Sequence, residues 1–120
     1  SYFTDYLGII SSNYLLLYHS IRYGKFGVDI MKYEVYGNLG CGYCELALDL
    51  LEEKDLDHEY FDLHNVSSDM QKELINIAGH QFRTVPQIFI EQHDDRFENK
   101  RVRKRTYIGG YTELKKHLGV

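Results

Sequence analysis

Residues 31–120 of this 120-residue chain predict an α/β domain of order βαβαββα. The expected architecture is a four-stranded mixed sheet flanked by helices, preceded by an N-terminal extension over residues 1–30. Three observations predict it. Short β-branched and aromatic runs alternate with segments of helical period from Met31 onward. A helix separates the first two strand-like runs, which calls for a parallel pair joined by a right-handed crossover. The last two runs follow one another with no helix between them, which calls for an antiparallel hairpin.

Taken in order, Lys32–Tyr36 (K-Y-E-V-Y) is the first strand, and Gly37-Asn38-Leu39-Gly40 is a turn-rich loop. After Cys41 the period changes. Leu46, Ala47, Leu48, Leu50 and Leu51 suit a helix that buries one face, with Glu52, Glu53 and Lys54 as its polar end. His58–Leu63 is the second strand. Ser67–Ala78 is the second helix, with Ser68-x-x-Gln71 as a capping box and Met70, Leu74, Ile75 and Ala78 along one face. Gly79 is placed to end it. Gln87–Glu91 and Arg105–Ile108 are the third and fourth strands, and Thr112–Leu118 is a last helix with Leu114 and Leu118 at i, i+4. The stretch 91–106 then reads as a hairpin loop far longer than the usual ~2–5 residues.

Composition bounds the function. Apolar residues make up 43% and aromatics 14%, enough for a core in a single domain and too much for disorder. A formal net charge of −4 argues against general nucleic-acid binding. No apolar run approaches the ~18 residues of a membrane span. Residues 1–30 hold seven of the 17 Tyr and Phe residues, without a basic segment or small-residue cleavage site of the kind a secretory signal needs. Two readings of them stay open. Met31 is a natural start with the preceding residues added upstream, or they are a real, non-catalytic extension able to pack on the domain or a second copy, with a helix over Tyr2–Arg22.

The only two cysteines stand in Cys41-Gly42-Tyr43-Cys44. Structural zinc needs four ligands, and no second pair is present. His19, His58, His64, His80, His93 and His117 show no close pair at ligand spacing. A self-closing dithiol remains, of the kind a reducing compartment uses catalytically. It lies where a strand's loop feeds a helix. There the unpaired N–H groups and the positive end of the macrodipole favour thiolate over thiol. Cys41, at or before the helix start, is expected exposed and attacking. Cys44, one turn on, is expected inward and resolving.

Two further motifs carry less by themselves. Pro86, the only proline, stands in Arg83-Thr84-Val85-Pro86-Gln87. It is either a strand's first residue or the second half of a cis bond. Gly109-Gly110-Tyr111-Thr112-Glu113-Leu114 is either a plain turn with Thr112 as N-cap, or a close backbone approach with an anion at the helix N-terminus. The run Lys100-Arg101-Val102-Arg103-Lys104-Arg105 is either a solvated edge that blocks aggregation or a basic arm near the site. His80 and Gln81, just before the Arg83-Thr84-Val85-Pro86 loop, are either ordinary loop residues or within reach of the substrate.

Together Y-G-N-L-G-C-G-Y-C, R-T-V-P-Q-I-F-I and I-G-G-Y-T-E-L resemble glutaredoxin, in that family's order, from Met31 to the last residue. The resemblance implies a thioredoxin-like fold. It also implies reduction of protein disulfides and protein–glutathione mixed disulfides with electrons from glutathione, in the cytoplasm. It casts Cys41 as nucleophile, Cys44 as resolving thiol and Tyr43 as the residue flanking the active thiol. Thr84, with Val85 and a cis Pro86, would pair with the cysteinyl part of glutathione. Gly110, Tyr111 and Thr112 would hold its γ-glutamyl carboxylate. Three positions depart from the family pattern. Gly42 replaces a proline, a loss associated with an iron–sulfur cluster bridged between two chains by Cys41 and glutathione. Asn38 stands where a lysine is common, and Thr112 where many members have aspartate. Two alternatives follow, a dimeric iron–sulfur carrier and a redoxin donating electrons to ribonucleotide reductase. Glutathione and disulfide-containing or glutathionylated proteins are the expected partners. Membrane and nucleic acid are not.

Overall fold

Strand pairing places the chain's first run between its second and its third. The computed structural model describes residues 29–94 and 102–120. Along these run β1 (Asp29–Gly37), α1 (Gly42–Glu53), β2 (His58–Asp62), a 3₁₀ turn (Leu63–Asn65), α2 (Ser68–Ala78), β3 (Gln87–Asp94), β4 (Val102–Gly109) and α3 (Tyr111–Leu118). The sheet order is β2-β1-β3-β4. β1 and β2 are parallel, with Tyr33 opposite His58, Val35 opposite Tyr60 and Gly37 opposite Asp62. The seven residues between Asp94 and Val102 are too few for a parallel crossover, so β3 and β4 form an antiparallel pair and the sheet is mixed. Residues 31–92 and 102–120 make one compact unit. The readings of the extension, of a helix over Tyr2–Arg22, and of Lys100 and Arg101 lie outside the described residues.

β1 is covered on both faces, and its alternation sorts the core. Tyr33 and Val35 join Ala47 and Leu51 of α1, Ile88 and Ile90 of β3 and Leu114 of α3. Tyr36 faces the other way, with Leu74 of α2 and Phe89. So α1 and α3 pack against one face and α2 against the other. Within α1 the buried set is Cys44, Ala47 and Leu51. These recur at i, i+3, i+7, and Leu46 falls off that stripe and is 45% exposed, contrary to its expected burial.

Three boundary expectations need correction. The long loop predicted over 91–106 is mostly strand, because β3 runs to Asp94 and β4 begins at Val102. Ser67, not Ser68, caps α2. Its backbone is extended and its Oγ accepts from Met70 N at 3.1 Å. The side chain of Gln71 turns back to donate to the carbonyls of Leu63 (3.0 Å) and Val66 (3.1 Å), pinning the preceding turn. Ser67→Ala should therefore cost about 1 kcal/mol, read as a lower urea midpoint at unchanged slope.

Third, Arg105 belongs to neither a solvated edge nor a basic arm. Its side chain is only 10% exposed, and Nε and Nη2 donate to the two carboxylate oxygens of Glu34 at 2.7 and 3.0 Å. Nη2 also reaches Glu91 (3.3 Å), and Nη1 reaches Glu73 on α2 (3.5 Å). Alternation along β4 turns Arg105 inward while Lys104 stays exposed.

Candidate active site

Cys41 is the N-cap of α1. Its extended backbone (φ −88°, ψ 108°) turns the sulfur back over the first helical turn, where Sγ accepts from Cys44 N at 3.1 Å. An anion at this sulfur meets an N–H donor and the positive helix end together. Cys44 lies inside that turn and is buried, while Cys41 is partly exposed. The two are joined as a disulfide with their Cα atoms 5.2 Å apart. Asn38, Leu39, Gly40, Glu45, Leu48 and Tyr60 close around the pair to form a cavity of about 210 Å³.

The Val85–Pro86 bond is cis. Its loop is braced by Gln87, a buried side chain whose Nε2 donates to Thr84 O at 2.8 Å. Tyr107 OH in turn donates to Gln87 Oε1 at 2.6 Å.

At the third motif, Gly109 has φ +127°, and a Cβ there would lie 2.8 Å from Cγ of Glu113, so only glycine fits. Gly110 rather than Thr112 is the N-cap of α3. Its N–H donates to Glu113 Oε1 at 2.8 Å. Thr112 is thus a first-turn residue, and like Tyr111 it presents an N–H with no partner within the helix.

A groove of about 200 Å³ brings these parts together, lined by Tyr43, Thr84, Val85, Pro86, Gly110, Tyr111, Thr112 and Glu113. All seven residues expected to bind substrate line it. The eighth, Glu113, escaped the sequence reading, although Gly110-x-x-Glu113 has capping-box spacing that marks it. The Tyr43 ring stands 6.0 Å from that of Tyr111 across the groove. Neither cysteine lines the groove, and Tyr43, between them in sequence, joins it to the dithiol. Gly42 is exposed, with nothing within 4 Å of where a Cβ would stand. His80 and Gln81 line an adjoining cavity of about 530 Å³ that shares Thr84, Gly110 and Glu113 with the groove, and there the His80 ring meets the Tyr107 ring edge-on at 5.3 Å. Among the described residues no group of three or more His, Cys, Asp and Glu is arranged to hold a metal ion, and no helix is long and apolar enough to cross a membrane.

The glutaredoxin family model matches residues 30–94. Glutaredoxin 1 of Escherichia coli K12 is 32% identical over 89 residues, covering 70% of this chain and 88% of its own. This chain belongs to the glutaredoxin family. A glutaredoxin of Haemophilus influenzae is 35% identical over 63 residues, covering 48% of this chain and 71% of its own. Among solved structures, glutaredoxin 1 of Francisella tularensis in complex with cacodylate is 34% identical, with a TM-score of 0.47, covering 74% of this chain and 93% of its own. As a glutaredoxin with a closed Cys41–Cys44 pair, the protein is a dithiol-type thiol–disulfide oxidoreductase with a thioredoxin-like fold. The pair stores two electrons as dithiol and gives them up on closing.

Proposed function

We propose that this oxidoreductase is glutathione-dependent and reduces both protein disulfides and protein–glutathione mixed disulfides in the cytoplasm. The observation that carries this reading is the groove, which gathers backbone donors, a helix N-terminus and a carboxylate beside the dithiol. The backbone of Val85 would pair with the cysteinyl unit as an added strand. The first-turn N–H groups of Tyr111 and Thr112 would receive the γ-glutamyl carboxylate. Glu113 would face the γ-glutamyl ammonium, supplying the negative charge that Thr112 lacks. In this scheme the Cys41 thiolate attacks the glutathionyl sulfur and releases the protein thiolate. A second glutathione, or Cys44, then releases the bound glutathione.

Glu113→Gln keeps the hydrogen bond to Gly110 N and removes the charge. KM for glutathione should rise about fivefold to tenfold with kcat nearly unchanged. An unchanged KM would remove Glu113 from the site.

The iron–sulfur alternative would use Cys41 as a thiolate ligand, so it requires the Cys41–Cys44 disulfide to be open. The test of the main proposal is turnover of a glutathionylated peptide coupled to glutathione and its reductase. Saturable, glutathione-dependent turnover is expected. Turnover supported only by a thioredoxin-type reductase would refute glutathione dependence and point to the redoxin alternative.

A further inference from the structure

Gly37 ends β1 and is buried directly beneath the dithiol. A Cβ built on it would fall on the sulfur of Cys44, 3.4 Å from that residue's own Cβ and 3.2 Å from Cε1 of Tyr60. The Cys44 sulfur thus occupies the volume that any other residue at position 37 would fill. The backbone of Tyr60 is set by the parallel register of β2, one strand over, where it lies opposite Val35. Cys44 sits on the same stripe of α1 as Ala47 and Leu51, both fully buried, so the helix cannot draw back without opening the core. Backbone freedom is not the reason for glycine here, because Gly37 is not among the positive-φ residues. The reason is space.

We propose that Gly37 is a positioning residue for the resolving step: its missing side chain, with Tyr60 as the opposite wall, holds the Cys44 sulfur where it can reach Cys41. The step balances as follows. In the mixed disulfide between Cys41 and substrate, the Cys44 thiolate attacks Cys41 Sγ and a Cys41–Cys44 bond forms. The Cys41–substrate S–S bond breaks, and its electron pair leaves on the substrate sulfur, which takes up a proton. The dithiol is oxidised by two electrons and the substrate disulfide is reduced by two. A methyl at position 37 forces the Cys44 sulfur from that volume, toward a rotamer that clashes with the preceding helical turn or away from Cys41. Ring closure then suffers, whereas attack by Cys41 does not involve this volume.

The inference rests on Cys44 acting as the resolving thiol, and its test separates the two claims. Four proteins are compared: wild type, Gly37→Ala, Cys44→Ala and the double variant. Each is assayed on a peptide with an intramolecular disulfide, which requires Cys44, and on a glutathionylated peptide, which requires Cys41 alone. For Gly37→Ala the ratio of the first rate to the second should fall on the order of 10- to 100-fold. In a fixed mixture of reduced and oxidised glutathione, a smaller fraction of this variant should carry the internal disulfide. In the Cys44→Ala background the vacated volume accepts the new methyl, so the double variant should fold and match Cys44→Ala. That comparison still decides the matter if Gly37→Ala alone does not fold. An unchanged ratio, or equal losses of both rates with and without Cys44, would overturn the positioning role. If Cys44→Ala reduces the peptide disulfide as fast as the wild type, Cys44 is not the resolving thiol and the proposal falls with it.

Discussion

Cys41→Ser should lower turnover of both disulfide and glutathionylated substrates by at least about 10³-fold while leaving the fold intact. The reason is local. The sulfur at the N-cap of α1 accepts the Cys44 N–H, and that donor with the helix end favours thiolate over thiol. A serine hydroxyl in the same place accepts the same N–H and serves well as a helix cap, but it does not ionise near neutral pH. Structure and chemistry therefore separate in this variant. Circular dichroism and the urea midpoint should stay close to those of the wild type while the rate collapses. Cys44→Ser should behave differently, losing reduction of intramolecular disulfides and keeping deglutathionylation at least in part. Full activity of Cys41→Ser on a glutathionylated peptide would show that another group attacks.

Arg105→Met should be strongly destabilising, costing about 3–5 kcal/mol. It leaves Glu34, with a side chain 2% exposed, and Glu91, at 12%, without their shared guanidinium. Burial by itself pushes the Glu34 carboxyl up, but its hydrogen bonds to Arg105, Glu91 and Tyr36, with the Arg105 charge, together outweigh that and hold it below the ordinary carboxylate value. Arg105 is correspondingly held charged by the same bonds. Tyr36, buried beside Glu34, has its phenol pushed up and stays neutral. Because the folded-state value of Glu34 is depressed, its contribution is present above the unfolded carboxylate pKa, near about 4.5. It is lost as pH falls through the lower folded value. In Arg105→Met the sign reverses, since Glu34 is then buried without its cation and the burial that pushes its carboxyl up is no longer outweighed. The stability gap between variant and wild type should therefore be widest at neutral pH and narrow as pH falls below about 4.5. Urea unfolding at pH 7 and at pH 3.5 reads this directly. A gap that is small, or the same at both values, would mean the cluster is screened and contributes little.

The elements of the site were readable because each is a local backbone requirement with its own residue signature. A dithiol at a helix start needs Cys-x-x-Cys after a turn. The Val85–Pro86 bend needs its proline. Gly109 at φ +127° needs glycine, whatever surrounds it. What the residues could not supply was distance. Nothing in K-Y-E-V-Y marks Glu34 as buried, but β1 is covered on both faces, and the cation that makes its burial tolerable lies 71 positions away. Arg105 was hidden in the complementary way, as one of several like charges in a run. The cap of α3 was misplaced because threonine is the usual signal, whereas here the carboxylate of Glu113 reaches back to a glycine. Gly37 passed as a turn residue because its constraint is the sulfur of Cys44, which only the folded chain brings onto it.

The central claim is that Cys41 attacks glutathionyl sulfur with glutathione as the working thiol. It is tested most directly by trapping the intermediate. The Cys44→Ser protein is mixed with oxidised glutathione and its intact mass and peptide map are recorded. The expected result is one glutathione per chain, on Cys41, released when reduced glutathione is added. No adduct on Cys41, or an adduct that reduced glutathione does not release, would contradict the account.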